Sequence, residues 1–209
     1  MSDHYFSADP GSAEKRQPVT VQAWGRELTL DSASGVFARG RLDVGTAVLF
    51  REAEPPAGPG TFLDLGCGYG VIACALAHAQ PAAAVWAVDV NERALRLCAE
   101  NASALGITDR LHASLPSDVP DDLTFDQIWS NPPIRIGKPA LHELLLRWLP
   151  RLAPHGRAVL VVGKNLGADS LQRWITEQGF PCSRIGSAKG FRVLQARYPA
   201  GEARGDTSG

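Results

Sequence analysis

Apolar residues fall along this chain in short blocks whose period switches between two and about 3.6 residues, the signature of strands alternating with helices. Phe62-Leu63-Asp64-Leu65 predicts a buried strand and Val71–Ala77 the helix after it. Ala84–Val88 predicts a second strand, and Ala94, Leu97, Cys98, Ala102 and Leu105 trace a helix face opened by Asn91 and stopped at Gly106. Strands are then expected at Arg110–Ala113, Phe125–Trp129 and Gly156–Val162, with helices at Leu141–Leu152 and Leu171–Gln178. Cys182–Ile185 and Phe191–Ala196, joined through Ser187-Ala188-Lys189-Gly190, read as a closing antiparallel pair. This alternation predicts an α/β fold with a mostly parallel sheet and helices on both faces. Ahead of it, Val19–Leu30 alternates around Trp24-Gly25 as a hairpin, Asp31–Arg41 is a loop, and Leu42–Phe50 is a short helix. The expected organisation is a flexible N-terminus (1–17), a hairpin with a substrate-side loop and helix (18–59), a core domain (60–198) and a disordered tail (199–209).

A chain of 209 residues is long enough for one full α/β core. With 21 Lys and Arg against 22 Asp and Glu it is not broadly basic, so a nucleic-acid partner would have to meet a local basic patch. The four cysteines form no CxxC pair and no metal-ligand spacing, so they read as buried thiols in a reducing cytosol, with no metal. No apolar h-region opens the chain and no run approaches a bilayer span, which predicts a cytoplasmic protein without a membrane partner.

The chemistry starts at the corner Gly66-Cys67-Gly68-Tyr69-Gly70, where strand turns into helix and the backbone must let a ligand approach. Aligning Gly66 and Gly68 with a dinucleotide fingerprint puts Val71 at the third glycine place, a poor fit. Asp64, two residues before the corner, would repel a pyrophosphate but suits an ammonium, as in S-adenosylmethionine. Asp89 ends the second strand about 20 residues on, where an acid binds ribose hydroxyls of either ligand. Val90 follows it, and Ser114 borders the adenine by position.

Asn131-Pro132-Pro133 is the sharpest signal. Two prolines after a buried strand force an extended turn without amide donors, leaving the Asn131 side chain and the Pro132 carbonyl as acceptors. Two acceptors that bind the hydrogens of a ring-conjugated amine favour pyramidal nitrogen and aim its lone pair at a methyl sulfonium. The catalysis is then mostly orientation, with no strong base.

With these residues in view, the chain resembles the class I S-adenosylmethionine-dependent "small" methyltransferases, the group that includes bacterial 16S rRNA guanine-N2 methyltransferases. The carriers are His4-Tyr5-Phe6-Ser7, Gly35-Val36-Phe37-Ala38-Arg39, Leu42-Asp43-Val44-Gly45, Leu63 to Gly70, Asn131 to Ile134, and Gly190-Phe191-Arg192-Val193. The resemblance runs from about His4 to Arg197. It implies a Rossmann-like seven-stranded sheet with a reversed final hairpin, and methylation of an exocyclic N2 of guanine in ribosomal RNA, leaving S-adenosylhomocysteine. It implies cofactor contacts from Asp64, Gly66, Cys67, Gly68, Gly70, Asp89, Val90, Ser114 and Asn131, and an amine site at Asn131 and Pro132. Phe37, Arg39, Pro133, Ile134, Arg135 and Lys138 are the expected substrate contacts.

Three features depart from the family pattern. Ile134 stands where an aromatic often follows the two prolines, so stacking on a base would fall to Phe37; the same feature argues against glutamine or adenine-N6 methylation. About 60 residues precede the glycine corner, whereas two-domain members carry an additional methyltransferase-like half. Substrate selection by that half would fall to a partner or a homodimer. Ser114, too, stands where similar enzymes often have an acid. Arg39, Arg41, Arg135, Lys138, Lys164 and Lys189 are placed to form a rim for ribosomal RNA or a ribosomal subunit. A reading from another class is a non-catalytic subunit on the same fold that only binds RNA or a partner; degenerate copies usually lose the glycines or the Asn-Pro-Pro turn, and this chain keeps both.

Overall fold

The apolar blocks become seven strands of one sheet. The computed structural model of the chain describes residues 16–33, 41–132 and 137–199. The elements run β1 (Arg16–Ala23), β2 (Arg26–Ala33), α1 (Val44–Glu52), β3 (Thr61–Leu65), α2 (Val71–Ala79), β4 (Ala84–Val88), α3 (Glu92–Ala104) and β5 (Leu111–Ser114). They continue with β6 (Phe125–Ser130), α4 (Gly137–Trp148), β7 (Leu152–Gly163), α5 (Ala168–Glu177), β8 (Cys182–Ala188) and β9 (Phe191–Arg197). The sheet order is β5-β4-β3-β6-β7-β9-β8. Strands β3 to β7 pair in parallel, while β9 runs antiparallel to both β7 and β8.

The chain order reverses between β3 and β6, so the crevice beyond their carboxyl ends lies at the switch point where such sheets bind ligands. Alternate residues feed two cores. Phe62, Val85 and Trp129 pack under α1, α2, α3 and the β1–β2 hairpin. Leu63, Ile128 and Leu160 pack under α4 and α5.

Sequence and structure differ in three informative places. The helix expected at Leu141–Leu152 starts at Gly137, ends at Trp148 and gives way to a 3-10 turn over Leu149–Arg151, because Pro150 cannot continue the helical ladder. Strand β7 begins at Leu152 rather than Gly156 and reaches its partner through an irregular register against Phe125 and Gln127. Asp31 to Ala33 finish β2 instead of opening a loop, since the Asp31 N–H donates to Asn101 Oδ1 (2.8 Å) and its carbonyl accepts from Asn101 Nδ2 (3.0 Å).

The hairpin turns at Trp24 (φ 48°) and Gly25 (φ 75°), left-handed at both positions as a two-residue hairpin requires. Trp24 tolerates this because it is an anchor. Its Nε1 donates to the Ala53 carbonyl at 2.8 Å, and its ring meets Phe50 and Trp129 edge-on, 5.0 and 5.5 Å between centroids. The hairpin therefore covers the face of α1 and α3.

Gly70 is tightly packed at the glycine corner. Its φ is +90°, and a Cβ there would stand 2.5 Å from Cys98 Sγ and 3.4 Å from Cys98 Cα on α3. Gly70→Ala is expected to destabilise the protein by ~2–3 kcal/mol through the left-handed backbone and the clash together. Adding Cys98→Ala should recover the steric part only. Urea melts of the two variants check this, and a Gly70→Ala protein as stable as the parent would refute it.

Candidate functional site

Two corners meet at the ends of neighbouring strands. At the end of β3, Gly66, Gly68 and Gly70 all adopt positive φ (77°, 54° and 90°), which lets the chain turn from strand into α2 in five residues. The Gly66 and Cys67 N–H groups donate to the Val88 carbonyl at 2.8 and 3.0 Å, tying the loop to β4. At the end of β6, the buried Ser130 hydroxyl donates to the Leu65 carbonyl at 2.6 Å, so Asn131 is carried to the edge of the glycine corner.

Asp64 is fully buried beneath that corner. Its Oδ2 accepts from the Ala73 N–H at 2.8 Å, while Oδ1 has no partner among the described residues. Burial, with a smaller push from Asp89, raises its carboxyl pKa to about 8. An orphaned buried carboxylate oxygen under a glycine loop fits an ammonium group. Asp89 serves the loop directly: Oδ2 accepts from the Gly68 N–H and Oδ1 from the Asn91 N–H, both at 2.9 Å. The cap of α3 belongs to Asn91, whose Oδ1 accepts from Arg93 and Ala94. Val90 is 60% exposed beside Asp89. Ser114 ends β5, and its carbonyl accepts from the Asp89 N–H at 3.4 Å.

Cys67, Cys74 and Cys98 are free and buried around the corner. Burial raises the Cys67 and Cys74 thiols well above their ordinary values, so they pack as small apolar groups. Tyr69, buried by the same corner and near the Asp43 carboxylate, has its phenol pushed up to about 12.

Asn131 donates through Nδ2 to Asp43 Oδ1 at 2.7 Å and to Thr46 Oγ1 at 3.0 Å. Both acceptors belong to the first turn of α1, where Asp43 is also the N-cap and accepts from the Thr46 N–H at 3.1 Å. Asn131 and the buried Pro132 form one wall of a cavity of about 180 Å³. Leu141 and Lys138 of α4, Val162 of β7, Leu166 and Phe191 close it. Lys138, one of the residues expected to contact substrate, is among those lining the cavity. Phe37, Arg39, Pro133, Ile134 and Arg135 lie outside the described residues.

Several residues here carried no role in the sequence reading. Asp43, Gly45 and Phe191 stood within the motif segments, and only the fold shows that they converge. A Cβ on Gly45 would sit 3.0 Å from Asp43 Oδ1, 3.0 Å from Phe191 Cε1 and 3.3 Å from Asn131 Nδ2. Asn101 is the other: Nδ2 donates to the Tyr69 carbonyl at 2.9 Å and joins the glycine corner to the hairpin. A buried polar residue on the apolar face of α3 was its only signal.

The chain resembles known proteins along most of its length. The family model described as methyltransferase small domain matches residues 27–195. The chain is 35% identical over 199 residues to the Bacillus subtilis protein YbxB, covering 94% of this chain and 99% of that one. It is also 35% identical over 195 residues to the ribosomal RNA small subunit methyltransferase C of Pseudomonas aeruginosa, covering 91% of this chain and 57% of the relative. The chain thus spans little more than half the length of that relative. Among solved structures it shares its fold, at a TM-score of 0.77 and 22% identity, with the T. Thermophilus 16S rRNA N2 methyltransferase (RsmC) in complex with AdoMet and guanosine. That match covers 91% of this chain and 52% of the other.

Proposed function

The chain belongs to the methyltransferase small domain family, a family of S-adenosylmethionine-dependent enzymes, and from that premise we propose that it methylates the exocyclic N2 of a guanine in ribosomal RNA. The observation that carries the reading is the Asn131 amide. Its nitrogen is turned to Asp43 and Thr46, which leaves its oxygen to accept from an incoming amine; the residue lines the cavity of about 180 Å³ and follows Ser130, which is bonded to Leu65 at the foot of the glycine corner. The printed names of the relatives, a small-subunit rRNA methyltransferase and a 16S rRNA N2 methyltransferase, support the choice of RNA and of N2.

In this proposal Asp64 pairs with the ammonium of S-adenosylmethionine, Gly66, Cys67, Gly68 and Gly70 give it backbone room, Asp89 takes the ribose hydroxyls, and Val90 and Ser114 flank the adenine. When bound, the cofactor supplies an electrophilic methyl group on a sulfonium sulfur. Asn131 Oδ1 and the Pro132 carbonyl accept the two hydrogens of the target amine. The nitrogen lone pair is thereby aimed along the C–S bond, which breaks as the N–C bond forms. The cofactor would leave as a neutral thioether, and the extra proton on the methylated nitrogen would pass to water. Holding the amine in this geometry is the main contribution asked of the protein. Phe191 and Leu166 provide apolar cavity walls for a planar base, and base contact is also assigned to Phe37 and Ile134, which lie outside the described residues. Lys138, Lys164 and Lys189 are exposed and, with Arg39, Arg41 and Arg135, are assigned to RNA phosphates.

The test is incubation with methyl-labelled S-adenosylmethionine and either small ribosomal subunits or free 16S rRNA, followed by digestion to nucleosides. Label in N2-methylguanosine is expected. Label confined to protein or to small molecules would sink the proposal.

A further inference from the structure

We propose that Asp43 is the positioning residue of the transfer site, holding the Asn131 amide so that its oxygen and not its nitrogen faces the target amine. This rests on the methyltransferase reading above and extends it to a residue outside the glycine and Asn-Pro-Pro corners.

An ionised carboxylate accepts hydrogen bonds and has no proton to give. Only the NH2 end of an amide can therefore face Asp43 Oδ1 at 2.7 Å. Thr46 Oγ1 accepts at 3.0 Å, so both amide hydrogens have acceptors on α1. Rotating the amide by half a turn would set its oxygen against a carboxylate oxygen and present two donors to the cavity. A site with donors there would oppose the hydrogens of an amine, and the acceptor geometry for methyl transfer would be lost. The chemistry of Asp43 thus fixes an orientation that the amide alone leaves open.

Asp43 is itself held rigidly. It caps α1 through the Thr46 N–H at 3.1 Å, and its carbonyl accepts from the Ala47 N–H at 2.9 Å. Gly45 leaves room for carboxylate, amide and the Phe191 ring to meet, since a Cβ would stand 3.0 Å from Asp43 Oδ1 and from the ring. The Asn131 side chain is thus oriented from the start of α1, 88 positions away in sequence from the residue it holds.

Four variants of the full chain separate positioning from capping. Asp43→Ser keeps a good N-cap but is too short to reach Asn131, and Asp43→Asn keeps both the cap and an acceptor. Transfer is expected to fall about 30–100-fold in Asp43→Ser, in kcat rather than in cofactor affinity, and less than about fivefold in Asp43→Asn. Asn131→Asp places two carboxylates face to face and should lose about 1000-fold, whereas Asp43→Asn with Asn131→Asp exchanges amide and carboxylate across the same bond and should regain at least tenfold of that. A fully active Asp43→Ser protein, or a double variant no better than Asn131→Asp alone, would overturn the proposal. A substrate-free readout keeps it distinct from the choice of substrate. With 15N-labelled asparagine, the Asn131 NH2 pair should be resolved and slow to exchange in the parent and in Asp43→Asn, and averaged in Asp43→Ser. If the parent transfers no methyl to rRNA, the functional reading fails while this measurement still decides the orientation; an averaged pair in the parent would overturn the positioning role.

Discussion

Replacing Asn131 with alanine is expected to cut methyl transfer by roughly 10²–10³-fold, the loss seen when one preorganised hydrogen-bonding group is removed from a reacting centre. Affinity for S-adenosylmethionine should stay within a few-fold. The asymmetry follows from where the side chain is spent. Its nitrogen is bound to Asp43 and Thr46 and its oxygen is assigned to the incoming amine, whereas the cofactor's charged ammonium is assigned to Asp64, on β3. The variant leaves the α1 cap in place, because Asp43 still accepts from the Thr46 N–H at 3.1 Å, so global unfolding is not the expected cause of the loss. Single-turnover transfer and calorimetric binding separate the two quantities. Full activity in Asn131→Ala would remove orientation of the amine as the basis of catalysis.

The fold was legible because every core strand announces itself by local pattern. Ala84–Val88 was delimited to the residue, and the Asn91 cap and Gly106 stop of α3 follow from side-chain chemistry alone. The misplaced boundaries share one cause: a local signal outweighed by a distant partner or an overlooked breaker. Pro150 lies inside an apolar run that looks helical by period, and the end of β2 depends on Asn101, 70 residues away from Asp31. The site divides in the same way. Asp64, the glycines, Asp89 and Asn131 could be found because strand ends in a parallel sheet converge. The hold of Asp43 on Asn131 spans 88 positions and crosses from one element to another, so no window of sequence displays it. No helix among the described residues is long and apolar enough to cross a membrane, in keeping with the evenly mixed composition.

Asp64→Asn should weaken S-adenosylmethionine binding by roughly 10–100-fold, the loss of one charge-assisted contact of about 1.5–3 kcal/mol, and yet raise the melting temperature of the free protein. The second effect comes from the sign of the pKa displacement. The Asp64 carboxyl lies at about 8 in the folded chain against 3.8 for a solvated aspartate. The folded state therefore binds the proton more tightly than the unfolded one, and its stability declines as pH climbs from about 4 to about 8. An asparagine has no such proton to lose, so at neutral pH the variant should melt several degrees higher, at ~3 °C per kcal/mol for a chain of this size. Its stability should also vary less over that pH range. The same displacement governs binding. Below about pH 8 the ion pair forms only as Asp64 releases its proton, so affinity should rise toward that pH. Beyond it the cofactor's own amino group, near 7.7–8.0, begins to lose its charge, and affinity should level or fall. Calorimetry from pH 6 to pH 9, in buffers of differing ionisation enthalpy, would register the released proton. A dissociation constant that is flat from pH 6 to pH 8 would mean that Asp64 is already charged in the free protein, and with it the stability gain of the asparagine variant would disappear, because a carboxylate that is paired before the cofactor arrives neither destabilises the fold nor waits for an ammonium.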